Sequence, residues 1–320
     1  MQQTVKKKRK ERVIRTRREK ICHEVVFVLF IIYAFTLLYP FLFLFINSLK
    51  VSSEEIQNLP LWLPVDSAGV KAPIPWAELP TIWNPFKWNW ASYTDALNHP
   101  KFNFLSMFWN TVKLSVGQTF VSMALTCMAA YTLAKYRFRG NSFIYSFVLV
   151  CSVVPVFGAE AATFNLLANV LGLRNTYVGM LIMCGAFGTA FLYLHSFFKG
   201  IPWSFAESAM IDGASDFRIF LQIMIPLAKN GIMVFTIMKF IGYWNDYWAP
   251  LLYYCNMGFG YQHHWTIAVG VTRLEKDNKL ESNYNVFFAA TLISVIPMLI
   301  FYAAFSDKLM GNLNAGGIKG

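Results

Sequence analysis

The amino-acid sequence predicts an all-α fold, a polytopic membrane helix bundle with six transmembrane helices, and three observations carry that reading. Of the 320 residues, 56% are hydrophobic and only 14% charged, with a mean hydropathy of +0.42, too apolar for a soluble domain that must cover itself with polar side chains. Six apolar runs reach the length of about 20 residues that a helix needs to cross a hydrocarbon core roughly 30 Å thick. Lysine and arginine concentrate in alternate loops, as the positive-inside rule requires.

Residues 1–24 form a basic tail: ten of the 28 Lys and Arg lie between Lys6 and Lys20, directly before the first apolar run. The net charge of +11 therefore marks a cytoplasmic flank close to anionic lipid and not a nucleic-acid surface. The tail is too long and too charged for a cleaved signal peptide, so the first run is expected to stay as a membrane helix. That helix covers Val25 to Ile46, and the remaining runs cover Phe104 to Leu133, Phe143 to Leu167, Tyr177 to Phe198, Leu227 to Tyr254 and Val286 to Phe305. The loop Ala134 to Asn141 carries Lys135, Arg137 and Arg139, and the loop after the fourth run carries Lys199, Arg218 and Lys229. Both belong inside, with both termini cytoplasmic and residues 306–320 as an internal tail.

Outside lies residues 47–103, rich in Pro and Trp, including Pro60, Trp62, Trp76, Trp88 and Trp90. Proline denies it regular structure and indoles suit the headgroup level, so it is expected to be a cap anchored at the interface. The second outer loop contains His263 and His264, an adjacent pair that makes no metal site by itself. Pro155, within the third run, removes a backbone hydrogen bond and predicts a kink close to Gly158 and Glu160. Cys22, Cys127, Cys151, Cys184 and Cys255 are scattered and read as small hydrophobes, with neither disulfide nor metal spacing.

The polar island Pro202 to Pro226, between the fourth and fifth runs, contains the densest start and stop signals in the chain. Ser204 and Glu207 have the spacing of a capping box, so a short helix is expected to start at Ser204. Gly213 permits a left-handed reversal, Ser215 or Asp216 can cap the next helix, and Pro226 marks the change to the fifth run. A rigid two-helix elbow over residues 203–216 follows.

This elbow resembles the cytoplasmic motif E-A-A-x3-G-x9-I-x-L-P of binding-protein-dependent ABC importer permeases, through Glu207, Ser208, Ala209, Gly213, Ile223, Ile225 and Pro226. Ser208 and Ile225 are the departures. The resemblance implies that the elbow, with Asp212 beside Gly213, is a coupling helix that docks on an ATP-binding subunit. Further stretches are similar to the carbohydrate branch, in particular the second, G-type, permease of maltose-type transporters. They include Ala130-Tyr131-Thr-Leu-Ala134, Leu171-Gly-Leu-Arg-Asn175-Thr, Trp244-Asn245-Asp246 and Ala315-Gly-Gly-Ile-Lys-Gly320. The family resemblance implies a second permease subunit, two ATP-binding cassette subunits and an extracytoplasmic solute-binding protein as partners. It also implies a terminal tail, through Gly316, Gly317 and Gly320, that reaches between the ATPase subunits.

Inside the membrane, Lys239, Tyr243 and Asp246 fall on one face of a helix at i, i+4 and i+7. A charge there normally faces a bundle interior or a watery route. Tyr243, Trp244 and Asn245 suit sugar binding by stacking and hydrogen bonding, with Glu160 and Asn165 as an opposite wall. The chain has no Gly-rich loop followed by Lys and Ser or Thr that could cradle a nucleotide. No cofactor is expected on it, and ATP and Mg2+ would sit on partner subunits. Two other readings remain: the same permease class moving a peptide, amino acid, polyamine or other solute, and a self-sufficient secondary transporter or membrane enzyme, the secondary transporter opposed by the lack of evident repeats and ionisable relays.

Overall fold

The computed structural model describes residues 17–49, 90–99, 103–153, 158–255, 264–281 and 284–315. The basic residues 1–16, most of the Pro/Trp loop, Pro155, His263 and the terminal Gly316, Gly317 and Gly320 lie outside the described residues. Everything regular that is described is helical: α1 (Arg17–Ser48), α2 (Ala91–Leu97), α3 (Phe104–Lys135), α4 (Asn141–Val153), α5 (Ala159–Asn165) running into a π-helical turn (Leu166–Val170), α6 (Tyr177–Ile182) and α7 (Thr189–Gly200). Then follow α8 (Ser204–Ile211), α9 (Asp216–Ile219), a second π-helical turn (Phe220–Met224), α10 (Ile225–Leu227), α11 (Lys229–Asn245), a third π-helical turn (Pro250–Tyr254), α12 (Ile267–Glu281) and α13 (Tyr284–Ala315).

Among the described residues, three helices are long and apolar enough to cross a membrane, Ile21–Ser48, Phe104–Lys135 and Tyr284–Ser306. The segment Asp216–Leu227 meets Lys229–Asn245 at a bend of 82°, and only if the two are counted together do they reach the length and apolarity of a fourth span. The remaining apolar runs, expected as continuous helices, are divided. The run Tyr177 to Phe198 is broken between α6 and α7, where Gly188 adopts φ 131°, a backbone open to glycine and strained for other residues. The run Leu227 to Tyr254 ends its regular helix at Asn245, because Asp246 turns extended and its carboxylate accepts from the Trp248 and Ala249 amides at 2.9 and 3.3 Å.

Helix α3 is the axle of the bundle. Asn103 caps it, its side chain accepting from the Ser106 amide at 3.0 Å, a cap worth about 1 kcal/mol. At the other end the Asn141 amide donates to the carbonyls of Leu133 and Tyr136 at 3.1 and 2.5 Å, closing the helix terminus. Helices α6, α7, α11 and α12 pack around α3. Close approach depends on small residues: a Cβ on Gly117 would collide with the Tyr177 hydroxyl, and one on Gly231 would meet the Phe197 ring at 3.1 Å. Outside this core, α1 leaves nearly its whole apolar length exposed, as lipid solvation allows, and packs on α13, with Phe43 edge-on to Phe288 at 5.6 Å. The short α2 ties these two helices together through hydrogen bonds linking Tyr93 with Ser48 (2.8 Å) and Asn285 with Ser92 (3.3 Å).

Candidate functional site: a docking elbow and a polar seam in the membrane

The elbow folds as its sequence anticipates in outline and differs in one detail. Helix α8 starts at Ser204, but no side-chain capping bond forms, so the expected Ser204–Glu207 box is not made. The capping position falls on Trp203, whose backbone is already helical (φ −70°, ψ −20°). A capping residue needs extended backbone, which Trp203 lacks, while its ring packs edge-on to Tyr136 at 6.0 Å. Nor do Ser215 and Asp216 make a side-chain cap for α9; Ser215 occupies the cap position with extended backbone and Asp216 is the first helical residue.

The C-terminal end of α8 is closed strongly. Gly213 takes φ 78°, its amide donates to the Met210 carbonyl at 3.0 Å, and the Ala214 amide donates to the Ala209 carbonyl at 2.9 Å. These two bonds are the Schellman closure, which fixes the reversal between α8 and α9. Glu207, Ser208, Asp212 and Gly213 are exposed, Ala209 and Ile223 half-buried, and Pro226 exposed. Large apolar side chains stand out with them: Ile211 is 87% exposed and Phe217 65%.

Beneath this surface the elbow is bolted to α3. Ala206, Ile219 and Met224 are fully buried in one cluster with Tyr131, Phe198 and Phe220. The Tyr131 ring lies 5.1 Å from Phe220 and 5.7 Å from Phe198. Lys135 donates to the Ile201 carbonyl, just before the elbow. Tyr136 joins Tyr131 through their hydroxyls at 3.4 Å. Burial foremost, then that hydrogen bond, pushes the Tyr136 hydroxyl up from its ordinary value.

The second constellation lies along α3 and was not read from the sequence. Thr111, Ser115, Gln118, Ser122 and Thr126 recur at helical spacing and are all buried, a polar stripe facing into the bundle. At its centre the Lys239 ammonium donates to the Ser122 hydroxyl at 2.9 Å and stands over the Tyr243 ring at 5.9 Å. Ser122 in turn donates to the Gly185 carbonyl at 3.3 Å, in the broken segment between α6 and α7. Non-helical backbone at membrane depth is tolerated where it lines a cavity or is buried in protein, and this hydroxyl satisfies one freed carbonyl.

Lys239 and Tyr243 are thus brought together. Asp246 is not part of their helical face, since it caps the following turn. Trp244 is buried against Phe108 and Phe240, in an aromatic core, and Asn245 is exposed and bonds back to the Ile241 carbonyl at 2.9 Å. Glu160 and Asn165, both exposed on α5, have their recorded bonds elsewhere: the Glu160 carbonyl accepts from the Tyr253 hydroxyl at 3.3 Å, and the Asn165 side chain accepts from Asn169 at 2.6 Å.

Comparison with known proteins is decided by the core. The family model described as binding-protein-dependent transport system inner membrane component matches residues 122–309. The chain belongs to this family. As such an inner membrane component it is a multi-pass protein of the cytoplasmic membrane. This inner membrane component is 32% identical to the diacetylchitobiose uptake system permease protein NgcG of Streptomyces coelicolor, over 73% of this chain and 76% of the relative. It is 25% identical to the arabinooligosaccharides transport system permease protein AraQ of Bacillus subtilis, over 88% and 91%. A solved bacterial ABC transporter involved in the import of the acidic polysaccharide alginate superposes with a TM-score of 0.68 at 25% identity, covering 92% of this chain and 99% of that one. The carbohydrate-branch resemblance and the all-α membrane fold are therefore both upheld.

The stripe on α3 could have been found from its spacing. Hydropathy averaging passes over it, because the run, though less apolar than the other two long helices, still qualifies as a span.

Proposed function

We propose that this chain is the transmembrane permease subunit of an ATP-driven importer that moves a sugar or oligosaccharide across the cytoplasmic membrane by alternating access. The observation that carries the reading is the elbow, which presents Glu207, Asp212 and Ile211 outward on a base of fully buried side chains. An exposed apolar and acidic tip on a rigid mount suits a cleft in another protein. Two ATP-binding cassette subunits, carrying ATP and Mg2+, would take the elbows of this chain and of a second, different permease subunit. A solute-binding protein would deliver the sugar to the outer face, with both termini of this chain cytoplasmic and its glycine-rich tail, Gly316, Gly317 and Gly320, reaching toward the ATPases. The sugar cargo is supported by relatives whose names specify diacetylchitobiose and arabinooligosaccharides.

The test is uptake by the intact complex carrying Glu207→Lys or Ile211→Asp. Loss of uptake and of ATPase subunits in a pull-down, with membrane insertion unchanged, is the expected outcome. Wild-type uptake and pull-down in both variants would refute the docking role.

A further inference from the structure

We propose that Lys239 selects an anionic solute, and that the cargo is an acidic sugar bearing a carboxylate; this rests on the sugar-importer reading above. A lysine within an apolar span needs a counter-charge or a dense set of acceptors. The groups recorded around Lys239 among the described residues are neutral: the Ser122 hydroxyl that accepts from it, the Tyr243 ring beneath it and the Cys184 thiol close by. Ser122 uses its own proton on the Gly185 carbonyl, so it offers the ammonium a lone pair and no charge. An ammonium has three N–H donors, and a single hydroxyl takes one of them.

The surroundings suit a polyhydroxylated ligand as well as a charge. On the same side of α3 as Ser122, the Ser115 and Thr119 hydroxyl oxygens are buried without a hydrogen-bond partner, and Gln118 is 5% exposed. Buried hydroxyls without partners are costly, and a route that admits water and sugar hydroxyls relieves that cost. The broken segment between α6 and α7 places the Gly185 carbonyl beside Ser122, in the discontinuous-helix arrangement that transporters use at membrane depth. A neutral sugar passing this point leaves the ammonium uncompensated, whereas a uronate carboxylate forms a charge-assisted hydrogen bond with it.

The experiment uses the complete transporter, with its partner permease, ATPase subunits and binding protein, in proteoliposomes. Uptake of trigalacturonate is compared with that of a neutral galactose trisaccharide, for wild type, Lys239→Gln and Lys239→Arg. Wild type is expected to take up the trigalacturonate in preference to the neutral trisaccharide, and Lys239→Gln to lower the ratio of acidic to neutral uptake by about tenfold or more. Lys239→Arg, which keeps the charge, retains most of it. Uptake of the neutral trisaccharide alone by wild type, an unchanged or equal fall for both probes in Lys239→Gln, or loss of the assembled complex in that variant would overturn the proposal. Disassembly in particular would mean that Lys239 is paired to a carboxylate of a partner subunit. If neither glycan enters and peptides do, the sugar reading fails separately, and an acidic and a neutral peptide of equal length then test Lys239.

Discussion

The residues that do most in this protein sit where backbone or hydroxyl chemistry has no spare room. Gly213, at φ 78°, closes α8 by the Schellman bonds, and a side chain there costs about 1–2 kcal/mol of left-handed strain. Gly213→Val is therefore expected to insert normally and to lose uptake, read by transport and by ATPase activity that no longer responds to solute. Tyr136, outside the membrane-spanning part of α3, gives a second test. Its raised hydroxyl means that the folded state holds the proton more tightly than the unfolded chain. Its stabilising contribution is complete below pH 10, the ordinary value, and falls as pH rises beyond it. Hydrogen exchange of the α8 amides should be unchanged from pH 7 to 9 once intrinsic rates are corrected. Corrected exchange should accelerate above pH 10 in wild type, and Tyr136→Phe should lose most of that rise.

At the scale of elements, the fold hangs on how closely α3 is approached by its neighbours. Tyr177, which opens α6, lays its ring over Gly117 and donates to the Lys113 carbonyl at 2.9 Å. Gly117→Leu is expected to push α6 off α3 and to lower the thermal midpoint of the detergent-solubilised protein by several degrees, the scale of a small-to-large core substitution. An unchanged midpoint would contradict the contact. The same elements show how far the sequence could be read. The extent of α3 was legible from its apolar run, and the left-handed turn at Gly213 and the change after Pro226 were legible because each depends on a residue with a strong local preference. The break between α6 and α7 was not, since glycines in an apolar run leave the hydropathy high whether the helix continues or stops. The surroundings of Trp244 were hidden for a related reason: an aromatic residue stacks on sugar or fills a core equally well in sequence, and its packing on Phe108 and Phe240 shows only in the fold.

For the whole molecule, the proposed orientation puts the elbow and both termini on the cytoplasmic side and α2 outside. With Cys22 and Cys151, the two exposed cysteines among the described residues, replaced by serine, a membrane-impermeant maleimide applied to intact cells should label Trp90→Cys and spare Asp212→Cys. Reversed labelling would invert the topology. One feature then links the two constellations mechanically. Between the elbow and Lys239 the chain turns through 82° at Ala228, so sliding of α9 and α10 along their own direction acts almost at right angles to the axis of α11. Lys239 lies ten residues beyond the start of that helix, a lever arm of roughly 15 Å at 1.5 Å per residue, so a tilt of roughly 4° carries its ammonium about 1 Å sideways. That is the width over which a hydrogen bond is made or lost. The gearing at Ala228 would let a small stroke at the elbow exchange the Ser122 oxygen for another acceptor along the polar seam.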